Sequence, residues 1–321
     1  MAAIVLQCGS TPLPGDLQGP FEEKYRVVKE SDLGQSGAAG LAEVQGIIMY
    51  GSHVIVDEKL LDQMPALKVV SSVSVGFDHI NVAACRARNV AVGTTPGAVD
   101  GATADIAWSL LLAAGRLLVQ GHHRCTAPDA VPHFDSNWFG KEVYGSTLGV
   151  VGMGGVGLAV ARRAVGFDME VLYHNRNRRE ASVEEKANAE YVSDLKELMS
   201  RSDYIVSCIP GSAENKKLFN SEVLSAAKQG SVFVNVSRGV VVDQDALVEN
   251  LKNGRLYAAG LDVTDPEPLP RDHPLLQLPN VTITPHIGTA TMRTRVRMTE
   301  LGIRNLQAGL DGQPLETTPP V

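Results

Sequence analysis

Aromatic residues are scarce in this chain, at 5% of 321 positions, and cysteines number only four. Cys8, Cys85, Cys125 and Cys208 lie far apart, with no C-x-x-C pair and no histidine at ligand spacing. That pattern excludes a zinc site or a disulfide framework as the organising device, so no metal is expected, and it fits reduced thiols in the cytoplasm. Basic charge is also in short supply: 29 Lys and Arg stand against 36 Asp and Glu, a formal charge of −7. The clustered basic face that a nucleic-acid backbone needs is therefore not offered, and a small anionic ligand would need a local basic pocket. No window approaches the roughly twenty apolar residues of a membrane span. No basic stretch precedes the opening run Ala3-Ile4-Val5-Leu6-Gln7, which reads as a first strand and not as a targeting segment. Low-complexity tracts are missing too, and 44% apolar with 20% charged residues is the composition of a globular chain long enough for two domains.

What is present is rhythm. From residue 1 to about 97, β-branched runs (AIVLQ, GIIMY, LKVVSSVSV, VAVGTT) alternate with amphipathic stretches, as in a parallel sheet wrapped by helices. Asp57 is placed to cap a helix through Leu60, Leu61 and Met64, and Asn81 to Arg88 predicts another, closed by Asn89. The apolar stretch from Ala102 to Val119 predicts one buried helix, either running between two domains or lying in the core of one. Gly121 to Tyr144, with scattered Pro, His and Asp, reads as an irregular arm carrying two exposed aromatics, Trp138 and Phe139. A second alternation of strands and helices begins at Ser146 and ends at NVTITPH, and Gly288 onward predicts one long amphipathic helix. The expected class is α/β, with two Rossmann-like domains of parallel sheet. The first is flavodoxin-like and discontinuous, over 1–100 and 287–321, and the second is a dinucleotide-binding domain over 101–286, with hinges near 100 and 287.

Within LGVVGMGGVG, the series Gly152-x-Gly154-x-x-Gly157 stands directly after a β run and before a helical one. In that context the first glycine allows the tight turn, the second the approach of a pyrophosphate, and the third close helix packing. Gly155 and Val156 then open a helix whose backbone N–H groups favour the anion. At the end of the next strand an NAD-specific site offers a carboxylate to the ribose. Here the chain reads Tyr173-His174-Asn175-Arg176-Asn177-Arg178-Arg179, without one. Asn175, Arg176 and Arg178 suit a 2′-phosphate, so NADP and NADPH are expected over NAD and NADH.

Five blocks in order, SVSVGFDHINV, GMGGVG, SVFVNVSRGVVVDQDAL, AGLDVTDPEPLPRDHPL and NVTITPHIGTAT, resemble the D-isomer-specific 2-hydroxyacid dehydrogenases, and among them the glyoxylate/hydroxypyruvate reductases. The resemblance covers nearly the whole chain. It implies Arg238 as the substrate-binding arginine, Glu267 as partner of the histidine, and His286 as the acid/base. It further implies Val75 and Gly76 as amides that receive the substrate carboxylate. Thr103, Pro210, Val236, Ser237, Asp262 and Gly288 follow as cofactor contacts, with Asp105 standing where the family usually has Glu. The chemistry accounts for these residue types. Reduction of a 2-oxo acid builds charge on the carbonyl oxygen, and histidine titrates near neutrality and can supply the proton. A carboxylate on its other ring nitrogen fixes the ring, and an arginine grips the substrate carboxylate.

The resemblance thus implies NADPH-dependent reduction of glyoxylate and hydroxypyruvate to glycolate and D-glycerate by a homodimer. The arm at Trp138 and the helix after Ala102 would form its interface. Two alternatives remain at this level. One is a 2-ketogluconate reductase, and the other is a cofactor-sensing binding protein of the corepressor kind, which can retain the same three residues. A phosphoglycerate dehydrogenase is disfavoured because the chain ends soon after the last helix. The remaining histidines (His53, His79, His122, His123, His133, His174, His273) have no matching context and read as structural or surface groups.

Overall fold

The structure, a computed structural model, describes residues 2–9, 12–32, 40–50, 54–128 and 138–319. They divide into two compact units: Met1–Val99 with Thr289–Val321, and Asp100–Gly288.

In the discontinuous unit, β1 (Ile4–Cys8), β2 (Arg26–Lys29), β3 (Gly46–Met49), β4 (Val69–Ser72) and β5 (Ala91–Gly93) form a parallel sheet in the order β2-β1-β3-β4-β5. That is the flavodoxin-like order, in which ligands gather beyond the carboxyl ends of the strands. β3 and β4 are buried along their whole length, as strands covered on both faces must be, and read as uninterrupted apolar or small residues. Helices α1 (Gln18–Lys24), α2 (Glu58–Asp62) and α3 (Val82–Ala87) join them. Asp57 accepts from the Leu60 N–H and Asn81 from the Ala84 N–H, so both predicted caps form. The C-terminal helix Met292–Leu310 is pinned to the sheet: Ser71 Oγ donates to the Gly302 carbonyl at 2.7 Å and Asn305 Nδ2 to the Thr94 carbonyl at 3.1 Å.

The continuous unit contains α4 (Asp100–Gly115), α5 (Leu118–Thr126), β6 (Thr147–Val151), α6 (Gly155–Ala164), β7 (Glu170–His174), α7 (Ala181–Glu185), β8 (Ala189–Tyr191), α8 (Leu195–Arg201), β9 (Tyr204–Ser207), α9 (Ser221–Ser225), β10 (Ser231–Asn235), α10 (Gln244–Lys252), β11 (Leu256–Leu261) and β12 (Val281–Ile283). Its seven parallel strands run β12-β11-β10-β9-β6-β7-β8. The order reverses between β6 and β9, which places the ligand crevice of such a sheet at Gly152 and Cys208, just past those strand ends.

The stretch expected to be one helix from Ala102 to Val119 is two. α4 ends at Gly115, Leu117 adopts a left-handed φ of +56°, and α5 leaves at a bend of 61°. α4 is the core helix of this unit, packed on α6, β10 and β11, with Ala104, Ala107, Leu111 and Ala114 buried. Trp108 stacks on Phe167 at 4.6 Å and donates its indole N–H to the Val160 carbonyl at 3.0 Å. No single helix among the described residues is long and apolar enough to cross a membrane. The predicted irregular arm is also shortened, because α5 extends through Thr126. Part of that arm, residues 129–137, lies outside the described residues, as do His53 and His133. Beyond it Trp138 is half-buried and Phe139 is 63% exposed.

Candidate active site

The glycine-rich turn joins β6 to α6, and its three glycines meet different surroundings. Gly152 has φ +101°, and a Cβ there would lie 2.8 Å from the Cys208 backbone. A Cβ on Gly157 would meet the Gly152 carbonyl oxygen at 2.0 Å, so the first helical turn closes on the strand only without a side chain. Around Gly154 the Cβ direction is open to 4 Å. A tight turn, a bare approach and a close helix contact are the three requirements of a pyrophosphate cradle, and α6 presents its N-terminus there. These residues fit a dinucleotide.

Asn175, at the end of β7, accepts the Met153 N–H at 2.6 Å and so ties the adenosine end of the crevice to the glycine turn. Two carboxylates from outside this loop come to its arginines. Glu214 pairs with Arg176, both more than two-thirds exposed. Glu184 takes Arg178 through two bonds of 2.8 and 2.9 Å and also accepts the Tyr173 hydroxyl. Those bonds hold the Glu184 carboxyl at about 2 and raise Arg178 above its usual range. Arg178 is thereby already committed, whereas an exposed pair such as Arg176–Glu214 exchanges at little cost.

The three residues expected to carry the chemistry follow three adjacent parallel strands: Arg238 after β10, Glu267 after β11, His286 after β12. His286 Nδ1 lies 2.8 Å from Glu267 Oε1. Burial pushes the Glu267 carboxyl up, but the His286 hydrogen bond and charge, the Thr264 N–H and the Arg238 charge outweigh it, and the group is held below the ordinary carboxylate range. The Arg238 turn is braced from below, where Asn235 donates through Nδ2 to the Arg238 carbonyl at 2.9 Å and accepts from Ser237. A Cβ at Gly239 would stand 2.0 Å from the Thr264 carbonyl, so the Arg238 turn and the Glu267 loop touch backbone to backbone.

His286 itself has φ +54°, an uncommon conformation for a side-chain-bearing residue. Asp262, only 1% exposed, accounts for it. Its carbonyl accepts the His286 N–H at 2.9 Å, and its carboxylate accepts Thr284 Oγ1 (2.6 Å), Ile287 N–H (2.9 Å) and Gly288 N–H (2.8 Å). Asp262, Gly288 and Thr103 lie together: a Cβ on Gly288 would be 3.1 Å from the Asp262 carboxylate and 3.5 Å from Thr103 Oγ1. Thr284 has no signal in the sequence, since its role arises only from the adjacency of β11 and β12, whereas Asn235 braces its own turn two and three residues on. Val236 and Ser237 are buried at the end of β10, and exposed Pro210 accepts Asn215 Nδ2 at 2.9 Å. Val75 and Gly76 belong to the other unit, in the loop after β4, where Val75 is 40% exposed and Ser74 is held through its carbonyl by the Thr95 N–H. Among the described residues no group of three His, Cys, Asp or Glu is placed to hold a metal ion.

Residues 108–288 match the model of the D-isomer specific 2-hydroxyacid dehydrogenase NAD-binding domain. The chain is 40% identical over 305 residues to glyoxylate/hydroxypyruvate reductase B of Escherichia fergusonii, covering 94% of this chain and 93% of that one. Among solved structures, the TT0316 protein of Thermus thermophilus superposes with a TM-score of 0.87 at 38% identity, over 98% of this chain and 99% of that one. The NADPH-dependent glyoxylate/hydroxypyruvate reductase of Sinorhizobium meliloti, solved with NADP and malonate, gives 0.86 at 30% identity, over 99% and 96%. With its glycine turn, its two parallel sheets and nearly full-length similarity of this order, the chain belongs to the D-isomer specific 2-hydroxyacid dehydrogenase family.

Proposed function

We propose that this protein reduces glyoxylate and hydroxypyruvate to glycolate and D-glycerate with NADPH, and that His286 is the proton donor. The observation that carries this reading is the 2.8 Å bond between His286 and Glu267, set beside the Arg238 turn. The similarity to reductases of these two acids, one of them solved with NADP, supports it.

Gly152, Gly154 and Gly157 would admit the cofactor's pyrophosphate, and Asn175 with Arg176 would face its adenosine end. Arg176 can exchange Glu214 for a 2′-phosphate, which is the basis for preferring NADPH, and NADH, which shares the rest of the molecule, would stay usable. The bound reduced nicotinamide supplies the hydride. Arg238 would hold the substrate carboxylate and orient the carbonyl. As charge builds on the carbonyl oxygen, protonated His286 delivers its Nε2 proton there, and Glu267 on Nδ1 stabilises the ring's charge until that moment. In this reading the continuous unit carries the dinucleotide and the discontinuous unit the substrate carboxylate loop. The active form is a cytoplasmic homodimer with Trp138 and Phe139 at its interface, which a monomer in sedimentation at micromolar concentration would refute.

The test is the loss of reduced-nicotinamide absorbance with glyoxylate, hydroxypyruvate, pyruvate and 2-ketogluconate, each with NADPH and NADH, in wild type and His286→Ala. Turnover with NADPH and the first two acids that collapses in the variant is expected. Tight NADPH binding without turnover of any of them would replace this reading with a cofactor-sensing one.

A further inference from the structure

The first residue of α4 brings a charge to the glycine turn that the dinucleotide reading does not use. A Cβ on Gly155 would lie 2.2 Å from one Asp100 carboxylate oxygen and 2.8 Å from the other. The carboxylate therefore rests directly on the first residue of α6, on the side toward which helical Cβ atoms tilt, the N-terminal side. Among the described residues no cation compensates Asp100. The guanidinium of Arg163 on α6, close by at Gly101, gives its Nη2 to Asp105 at 2.7 Å and to the Gly101 carbonyl at 3.2 Å, and its Nη1 to the Ala159 carbonyl at 2.7 Å. The other charged group along that groove, Arg162, lines the shallow cleft beside Gly101 with Arg163 and is exposed. Burial pushes the Asp100 carboxyl above its ordinary value, and no neighbouring charge offsets that.

We propose that Asp100 is an affinity-setting residue for the dinucleotide: its carboxylate stands against the pyrophosphate at the α6 N-terminus, weakens the hold on both oxidised and reduced cofactor, and so speeds cofactor exchange between turnovers. This inference rests on the reading of the glycine turn as a pyrophosphate cradle. A helix N-terminus favours one anion, and here a fixed one competes with the arriving one. The charge repels NADPH and NADH alike, because the pyrophosphate is common to both. It acts on affinity and release and not on the proton transfer at His286.

The experiment compares wild type with Asp100→Asn and Asp100→Thr, reading Kd and the dissociation rate of NADPH and NADH by nicotinamide fluorescence. Asn and Thr both begin helices well, so the fold of α4 is retained while the charge is removed. At neutral pH both variants are expected to bind both cofactors roughly three- to tenfold more tightly and to release them correspondingly more slowly. In wild type, NADH, which has no 2′-phosphate to titrate, binds more weakly as the pH is raised through the range just above an ordinary carboxylate. The variants lack that step. Equal or weaker binding in both variants, with unchanged circular dichroism and Tm, overturns the inference while leaving the cradle in place. No dinucleotide binding by the wild-type protein overturns the cradle and the inference together.

Discussion

Glu267 Oε1 lies 2.8 Å from His286 Nδ1, and the two residues reach each other from the ends of neighbouring parallel strands. Through that bond a carboxylate in the loop after β11 engages Nδ1 of His286, which on the proposed reading leaves Nε2 for proton transfer.

Replacing Glu267 by Gln keeps the shape and removes the charge. Reduction at neutral pH is expected to fall by roughly 10²-fold, with the falling limb of the pH–rate profile moved toward lower pH, and steady-state rates between pH 5 and 8 check both. A profile that is merely scaled down, without displacement, would contradict the role given to the charge. Since the Glu267 carboxyl is held below its ordinary range, the stability it contributes is complete above that range and is lost as pH falls through the depressed value. Thermal melts of wild type and Glu267→Gln should therefore converge in acid.

Asp262→Ala leaves the Thr284 hydroxyl and the Ile287 and Gly288 N–H groups without their acceptor in a buried place. We expect a loss of about 2–4 kcal/mol in chemical denaturation and a fall in kcat, because the residues on either side of His286 then lose their anchor and only backbone bonds are left to hold it at φ +54°. Normal stability with reduced kcat would mean that the loop is fixed by other contacts.

Two alanine substitutions in one motif should fail differently. Gly157→Ala drives a methyl onto the Gly152 carbonyl and should lower Tm as well as abolish dinucleotide binding. Gly154→Ala meets nothing in the protein, so it should melt like wild type and still lose NADPH affinity by about tenfold or more, as titration would show.

Arg176 and Arg178 separate the roles of two nearby cations. Arg176→Ala is expected to lower kcat/KM with NADPH by roughly tenfold and to leave NADH within about twofold. Arg178→Ala should change that ratio little, because its two arms already hold Glu184. An unchanged ratio in Arg176→Ala would remove the structural basis for the cofactor preference.

The buried strands are legible because parallel strands covered on both faces are written as β-branched runs: IVLQC, GIIM and SVFVN announce themselves. The edge strands β2 (RVVK) and β8 (AEY) do not, being short, partly exposed and mixed in polarity. The break at Leu117 carries little punctuation, since the left-handed turn itself is made by a leucine inside an apolar run and not by Gly or Asn. Arg238, Glu267 and His286 can be named from their blocks, but not their mutual distances. The carboxylates that reach Arg176 and Arg178 come from 38 and 6 residues away and are invisible to a reading of the arginine loop alone. Asp100 is silent for a related reason: in sequence it opens a helix, and only the packing of α4 on α6 shows what it touches.

The placement of Arg238, Glu267 and His286 beyond β10, β11 and β12 bears on how such a protein can change over time. Neighbouring strands are held about 4.8 Å apart by their own hydrogen bonds, so the points at which the three loops leave the sheet cannot be respaced without breaking it. On the proposed reading the origins of the reacting groups are consequently inherited as a block, and new substrate preferences would be recruited from loops outside it.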